Sequence, residues 1–148
     1  MTRRVVTGHD ASGKAVVLHD GPAANVRIRP GSGLVATLLW VTDESPADIS
    51  GGSDRAAREI GIPPPRNGSI FRVVDFPPGA KGEMHRTPSI DYAVVLQGEI
   101  DLLFPDAEVH LRAGDVLVQQ GTDHAWINRG SGRCRIAFVL IDAKGPEA

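Results

Sequence analysis

Apolar residues fall in short runs along this chain, and where they alternate with polar ones the period is two, the spacing of a strand with one face buried. Asn25–Arg29 shows that alternation. Leu34–Val41, with Thr37 inside it, is the richest apolar stretch, well short of the roughly 20 residues a membrane-spanning helix needs. Arg3–Thr7 and Lys14–His19 flank Asp10-Ala11-Ser12-Gly13, which has the composition of a hairpin turn. After Asn67-Gly68 the pattern predicts strands at Ile70–Phe76, Glu83–Thr87, Asp91–Leu96, Glu99–Phe104, Glu108–Leu111, Val116–Gln119, His124–Asn128 and Arg133–Ile141. Turn residues separate them, at Pro77-Pro78-Gly79, Gln97-Gly98, Pro105-Asp106, Ala113-Gly114-Asp115 and Gly130-Ser131-Gly132. Strands this short at this spacing predict an all-β barrel or sandwich.

Residues 43–66 break the rhythm. Asp, Ser, Gly and Pro dominate, ending in Pro63-Pro64-Pro65. Ser53-Asp54 has the chemistry to cap a short helix through Ile60, with Gly61 as its stop. A long loop in a small domain is a lid, an interface arm or a plain crossover. The chain thus divides into N-terminal strands (1–42), a loop (43–66) and a barrel core (67–143) within one domain, as 148 residues allow.

Charge narrows the function. The chain has 16 basic and 18 acidic residues and a formal net charge of −2, which excludes the broad basic surface of a nucleic-acid binder. No segment has the pattern of a helix-turn-helix. The single cysteine, Cys134, permits no internal disulfide. Its flanking charges, Arg133 and Arg135, fall on the opposite parity, which predicts a small buried thiol. Met1-Thr2-Arg3-Arg4 leads into only Val5-Val6, so no signal-peptide core follows it. The expectation is a soluble cytoplasmic protein.

The chemistry concentrates in the second half. On a strand, Glu83, His85 and Thr87 share a face, and parity carries Asp91, Ala93 and Val95 onto it. His124, Trp126 and Asn128 share a face in their turn. If both strands line one barrel, His85, Asp91 and His124 converge. Two imidazoles and a carboxylate hold non-haem iron with positions left open, and zinc or manganese accepts the same donors. Glu83 is a candidate general acid or base, Thr87 a candidate proton-transfer or substrate-holding hydroxyl, and Trp126 a core residue or substrate platform. His110 has no place in this set and is expected at the surface or rim; His9 and His19, beside turns, are expected in solvent. Asn128 is expected to tie strand to turn.

The spacing resembles the cupin family. Gly79, five residues, His85-Arg86-Thr87, three residues, Asp91, six residues and Gly98 keep the frame of the first cupin motif. Gly114-Asp115 with His124-Ala125-Trp126-Ile127-Asn128 matches the second, over roughly residues 70–141. Thr87 replaces the family's second histidine and Asp91 its glutamate; Gln119-Gln120-Gly121-Thr122-Asp123 departs from the second motif. The resemblance implies a double-stranded β-helix, or jelly-roll barrel, with extra N-terminal strands. It implies metal ligation by His85, Asp91 and His124, with Thr87 at a degraded ligand position, by iron, zinc, manganese or nickel. It also implies a homodimer joined through the N-terminal strands.

Two function classes follow. As an enzyme, the barrel would act on a small carbonyl-containing substrate as a decarboxylase, dehydratase or other lyase, or as an isomerase, with a non-haem iron dioxygenase as the alternative. As a binding module, it would hold a small ligand without turnover.

Overall fold

The computed structural model describes residues 1–146. Eleven strands carry the fold: β1 (Arg3–His9), β2 (Ala15–Pro22), β3 (Val26–Ile28), β4 (Val35–Thr42), β5 (Ser69–Phe76), β6 (Ser89–Gln97), β7 (Glu99–Phe104), β8 (Ala107–Arg112), β9 (Val116–Gln120), β10 (Ala125–Ile127) and β11 (Cys134–Asp142). No helix occurs among the described residues. The all-β jelly-roll expectation holds.

Two sheets face each other. The larger runs β3-β4-β5-β11-β6-β9, and the smaller runs β10-β7-β8. All named pairings are antiparallel. Alternation decides which side chains enter the space between the sheets. Ile70, Phe76, Ala93, Val95, Ile136, Phe138 and Leu140 enter from the larger sheet, and Ile100, Leu102, Leu111 and Trp126 from the smaller, forming one buried cluster. β3 and β4 extend the larger sheet, so the N-terminal third of the chain contributes to the barrel wall. β1 and β2 form a separate two-stranded hairpin, whose turn is closed by Asp10 Oδ1 accepting from the Ser12 and Lys14 amides.

Turn chemistry fixes the registers. Gly98, between β6 and β7, has φ +79°, and a Cβ there would lie 2.4 Å from the Arg133 carbonyl oxygen, so only glycine fits this crossing. Asn128 is fully buried after β10; its Nδ2 donates to the carbonyls of Phe76 (3.0 Å) and Gly132 (2.9 Å), and its Oδ1 accepts from the Gly130 amide (3.0 Å). That is the tie between strand and turn read from the sequence.

Three expectations are corrected. Glu83–Thr87 is not a regular strand. Gly79 and Gly82 precede it and Pro88 follows, and within the described residues the segment forms one isolated bridge, His85 to His124, after another just before it, Lys81 to Ile127. The helix over 53–60 does not form. Asp54 does cap a turn, its Oδ1 accepting from the Ala56 amide at 2.9 Å, but its carboxylate is also drawn to Arg4, and the run between Gly52 and Gly61 is too short to propagate without packing. His19 is half-buried rather than solvated, and its Nε2 has no hydrogen-bond partner among the described residues.

Candidate functional site

The two histidines expected to meet do meet. Antiparallel backbone bonds join them, each amide donating to the other's carbonyl at 2.9 Å. Their rings lie 4.5 Å apart between centroids, tilted by 53°. His124 is buried, with its ring edge-on to Trp126, while His85 stands at the exposed mouth. Each ring is fixed by its own chain: His85 Nδ1 donates to the Glu83 carbonyl (3.0 Å) and His124 Nδ1 to the Thr122 carbonyl (2.8 Å). A carbonyl only accepts, so Nδ1 carries the proton in both rings and the lone pair of each neutral imidazole is on Nε2. This is the tautomer that a carbonyl behind the ring imposes on a metal-binding histidine. Burial lowers the pKa of His124, so its neutral form is favoured.

Asp91 is buried and on the interior face of β6, as parity required, but its carboxylate is held by neighbours outside the expected set. Ser89 Oγ donates to Oδ1 at 2.6 Å, and Gln119 Nε2 donates to Oδ2 at 3.4 Å. Burial raises its pKa, opposed by these two donors and by the nearby charges of His124 and His85. Ser89 shares the i, i+2 parity of Asp91, and Gln119 is its cross-strand partner on β9. The first is readable from alternation, whereas the second needs the register. Thr87 is buried. The Glu83 side chain is exposed, and what the chain uses of this residue is its carbonyl, on His85. Trp126 is 8% exposed and packs edge-on to Phe138, with centroids 5.8 Å apart, which places it in the core wall behind His124.

As holders of a divalent ion, the two imidazoles fit by donor type and tautomer. The set is not closed by Asp91 as it stands: among the described residues, no three His, Cys, Asp or Glu groups are arranged to hold an ion. His110 lies outside the site. It is exposed on β8 with Nδ1 2.6 Å from Asp101, in a surface network that Arg129 extends to Glu108. A groove of about 780 Å³ lies between the β1–β2 hairpin and the outer face of the larger sheet, on the side of that sheet away from the histidine pair.

Known proteins share this architecture. A family model described as "Cupin domain" matches residues 72–141. Phomopsin biosynthesis cluster protein C' of Diaporthe leptostromiformis is 41% identical over 148 residues, covering 95% of this chain and 78% of that protein. Cupin-domain-containing oxidoreductase virC of Hypocrea virens is 36% identical, covering 97% of this chain and 77% of its own. Among solved structures, the Schizosaccharomyces pombe Cnp3 cupin domain superposes with a TM-score of 0.60 at 15% identity, over 96% of this chain and 88% of the other. A cupin 2 conserved barrel domain protein from Salinispora arenicola gives 0.54 at 18% identity, over 80% and 82%. These structural likenesses speak to the fold alone.

Proposed function

The chain belongs to the cupin family, and from that premise we propose that it is an enzyme acting on a small organic molecule in the barrel interior, with a divalent ion held by Nε2 of His85 and His124. The observation that carries this reading is the matched pair of rings, both locked in the tautomer that leaves Nε2 free. Asp91 would face the ion as its anionic neighbour, directly or through water, and a cation there would favour the ionised carboxylate that burial alone disfavours. The bound ion would supply Lewis-acid polarisation of a carbonyl oxygen or, if it is iron, redox chemistry.

The chain's own residues do the rest. Ser89 and Gln119 orient Asp91. Thr87 offers a buried hydroxyl on the same wall for holding substrate. Trp126 excludes water behind His124 and bounds the chamber more than it contacts a ligand. Glu83, exposed at the mouth, could exchange protons with solvent. Four relatives are named as oxidoreductases, which favours a redox role over the lyase or isomerase role suggested by the carbonyl-polarising set alone. Iron, manganese, zinc and nickel all suit two imidazoles.

Elemental analysis of protein purified without chelator tests the reading. Near-stoichiometric metal in the wild type, lost in His85→Ala and in His124→Ala, is the expected result. Metal-free protein after growth in supplemented media, or metal retained in both variants, would overturn it and favour a binding module.

We further propose a homodimer in the cytoplasm. The β1–β2 hairpin is a sheet of two strands with Val5 and Val17 exposed, and isolated hairpins are marginal without further packing. The outer face of the larger sheet exposes Tyr92, Val94, Leu96, Val116 and Val118 together. No helix among the described residues is long and apolar enough to cross a membrane.

A further inference from the structure

A charged residue faces the interior of the larger sheet. On β5, Ile70, Val74 and Phe76 all pack into the core, so Arg72, at the same parity, is directed between the sheets. The register agrees. Arg72 pairs with Leu38 on one side and Phe138 on the other, and both are core residues. Next along the sheet, the row Ile70–Leu140–Asp91–Gln119 carries the acid of the candidate site. The Asp91 charge acts on Arg72, and Asp91 itself responds to both histidines.

This guanidinium is under-used. Among the described residues, its one hydrogen bond is from an Nη donor to the Gly61 carbonyl at 2.8 Å, at the end of the loop whose Ala56 and Ile60 pack against the core. Guanidinium has five N–H donors. Among the described residues, no carboxylate lies within ion-pairing distance of Arg72, and Arg29, also without an ion pair, adds a second positive charge to its surroundings. Burial and Arg29 together lower the Arg72 pKa, while Asp91 opposes them. A cation drawn into an apolar wall without a counter-charge costs stability, and natural folds keep such a group only where something else requires it. The forked geometry of guanidinium matches a carboxylate bidentately.

We propose that Arg72 anchors a carboxylate of the substrate, so that the barrel takes a small organic acid and holds its other end toward the histidine pair. This inference rests on the reading of the barrel interior as the substrate chamber. It does not rest on the ion, because carboxylate affinity can be read without turnover or metal.

The test is binding of benzoate, pyruvate and succinate, each against its amide, to the wild type, Arg72→Met and Arg112→Met by calorimetry, with melting curves of all three proteins. Arg112 is an exposed arginine on β8. At least one acid is expected to bind the wild type and Arg112→Met alike, and its amide to bind neither. Arg72→Met should weaken the acid roughly tenfold or more, the loss of a charge-assisted pair. It should also melt at or above the wild-type temperature, because an unpaired charge has left the wall. A residue that merely pins the Gly61 loop would lower the melting temperature instead, and that result overturns the proposal. So does acid binding that survives in Arg72→Met, amide binding equal to acid binding, or no acid binding to the wild type at millimolar concentration. If Arg72→Met does not fold, side-chain Nε–H NMR of the wild type decides. An arginine resonance that moves with acid and not with amide supports the anchor, and resonances unmoved by the acid refute it.

Discussion

Cys134 shows how completely neighbours can set a residue's chemistry. It is fully buried at the start of β11, and burial, with Asp75 and Glu99 adding to it, pushes its thiol up to about 11. A thiolate is the reactive form, so the native thiol should resist alkylation. Iodoacetamide labelling followed by mass spectrometry should show little modification of native protein at pH 8 and complete modification in denaturant; rapid native labelling would show that the wall around β11 opens. The candidate site follows the same logic with a different result. Two backbone carbonyls, those of Glu83 and Thr122, determine which nitrogen each histidine offers. Spacing in the sequence locates His85, Asp91 and His124. It does not show that Asp91 is held by Ser89 and Gln119, nor that Arg72 points inward. The Gln119 contact depends on cross-strand register, and the direction of Arg72 on which face of β5 is the interior, and neither is fixed by one strand's alternation.

At the scale of elements, hairpins are legible because their turns carry the information: Asp10-Ala11-Ser12-Gly13, Gln97-Gly98 and Gly130-Ser131-Gly132 all sit where the chain reverses. The segment from Glu83 to Thr87 reads falsely as a strand because alternation survives in an extended stretch that pairs at single points rather than along a ladder. The 43–66 loop is opaque for a related reason: its order comes from distant partners. Arg4 of β1 donates to Asp54 at 2.8 and 2.5 Å, and Asn25 Nδ2 donates to the carbonyls of Ala56 and Arg58. The Arg4 pair lowers the Asp54 pKa from 3.8 to about 2. A depressed carboxylate stabilises the fold above its unfolded pKa, and that contribution fades as pH falls through the folded value. Asp54→Asn should therefore cost about 1–2 kcal/mol at pH 7, partly exposed as the pair is. In urea melts the gap between variant and wild type should close between about pH 4 and pH 2. A gap independent of pH would mean that the Asp54 turn, and not its charge, holds the loop.

At the scale of the whole molecule, the barrel has one apolar-walled interior and one unusually apolar outer face. The interior accounts for the fold; the outer face and the exposed side of the β1–β2 hairpin are what a second copy would cover. Sedimentation equilibrium should give twice the 15.7 kDa chain mass, and charged substitutions at Val94 and Val118 should return it to the monomer. A wild-type monomer at micromolar concentration would remove the dimer from the account. The central claim, however, is that two neighbouring imidazoles, one buried and one at the barrel mouth, are there to hold an ion. Diffraction from crystals of the protein as purified, recorded at the absorption edge of the metal found by elemental analysis, tests it most directly. The account predicts one anomalous peak about 2.0–2.2 Å from Nε2 of both His85 and His124. A metal-bearing crystal whose anomalous peak lies elsewhere, at His110 or on the outer surface, would contradict it.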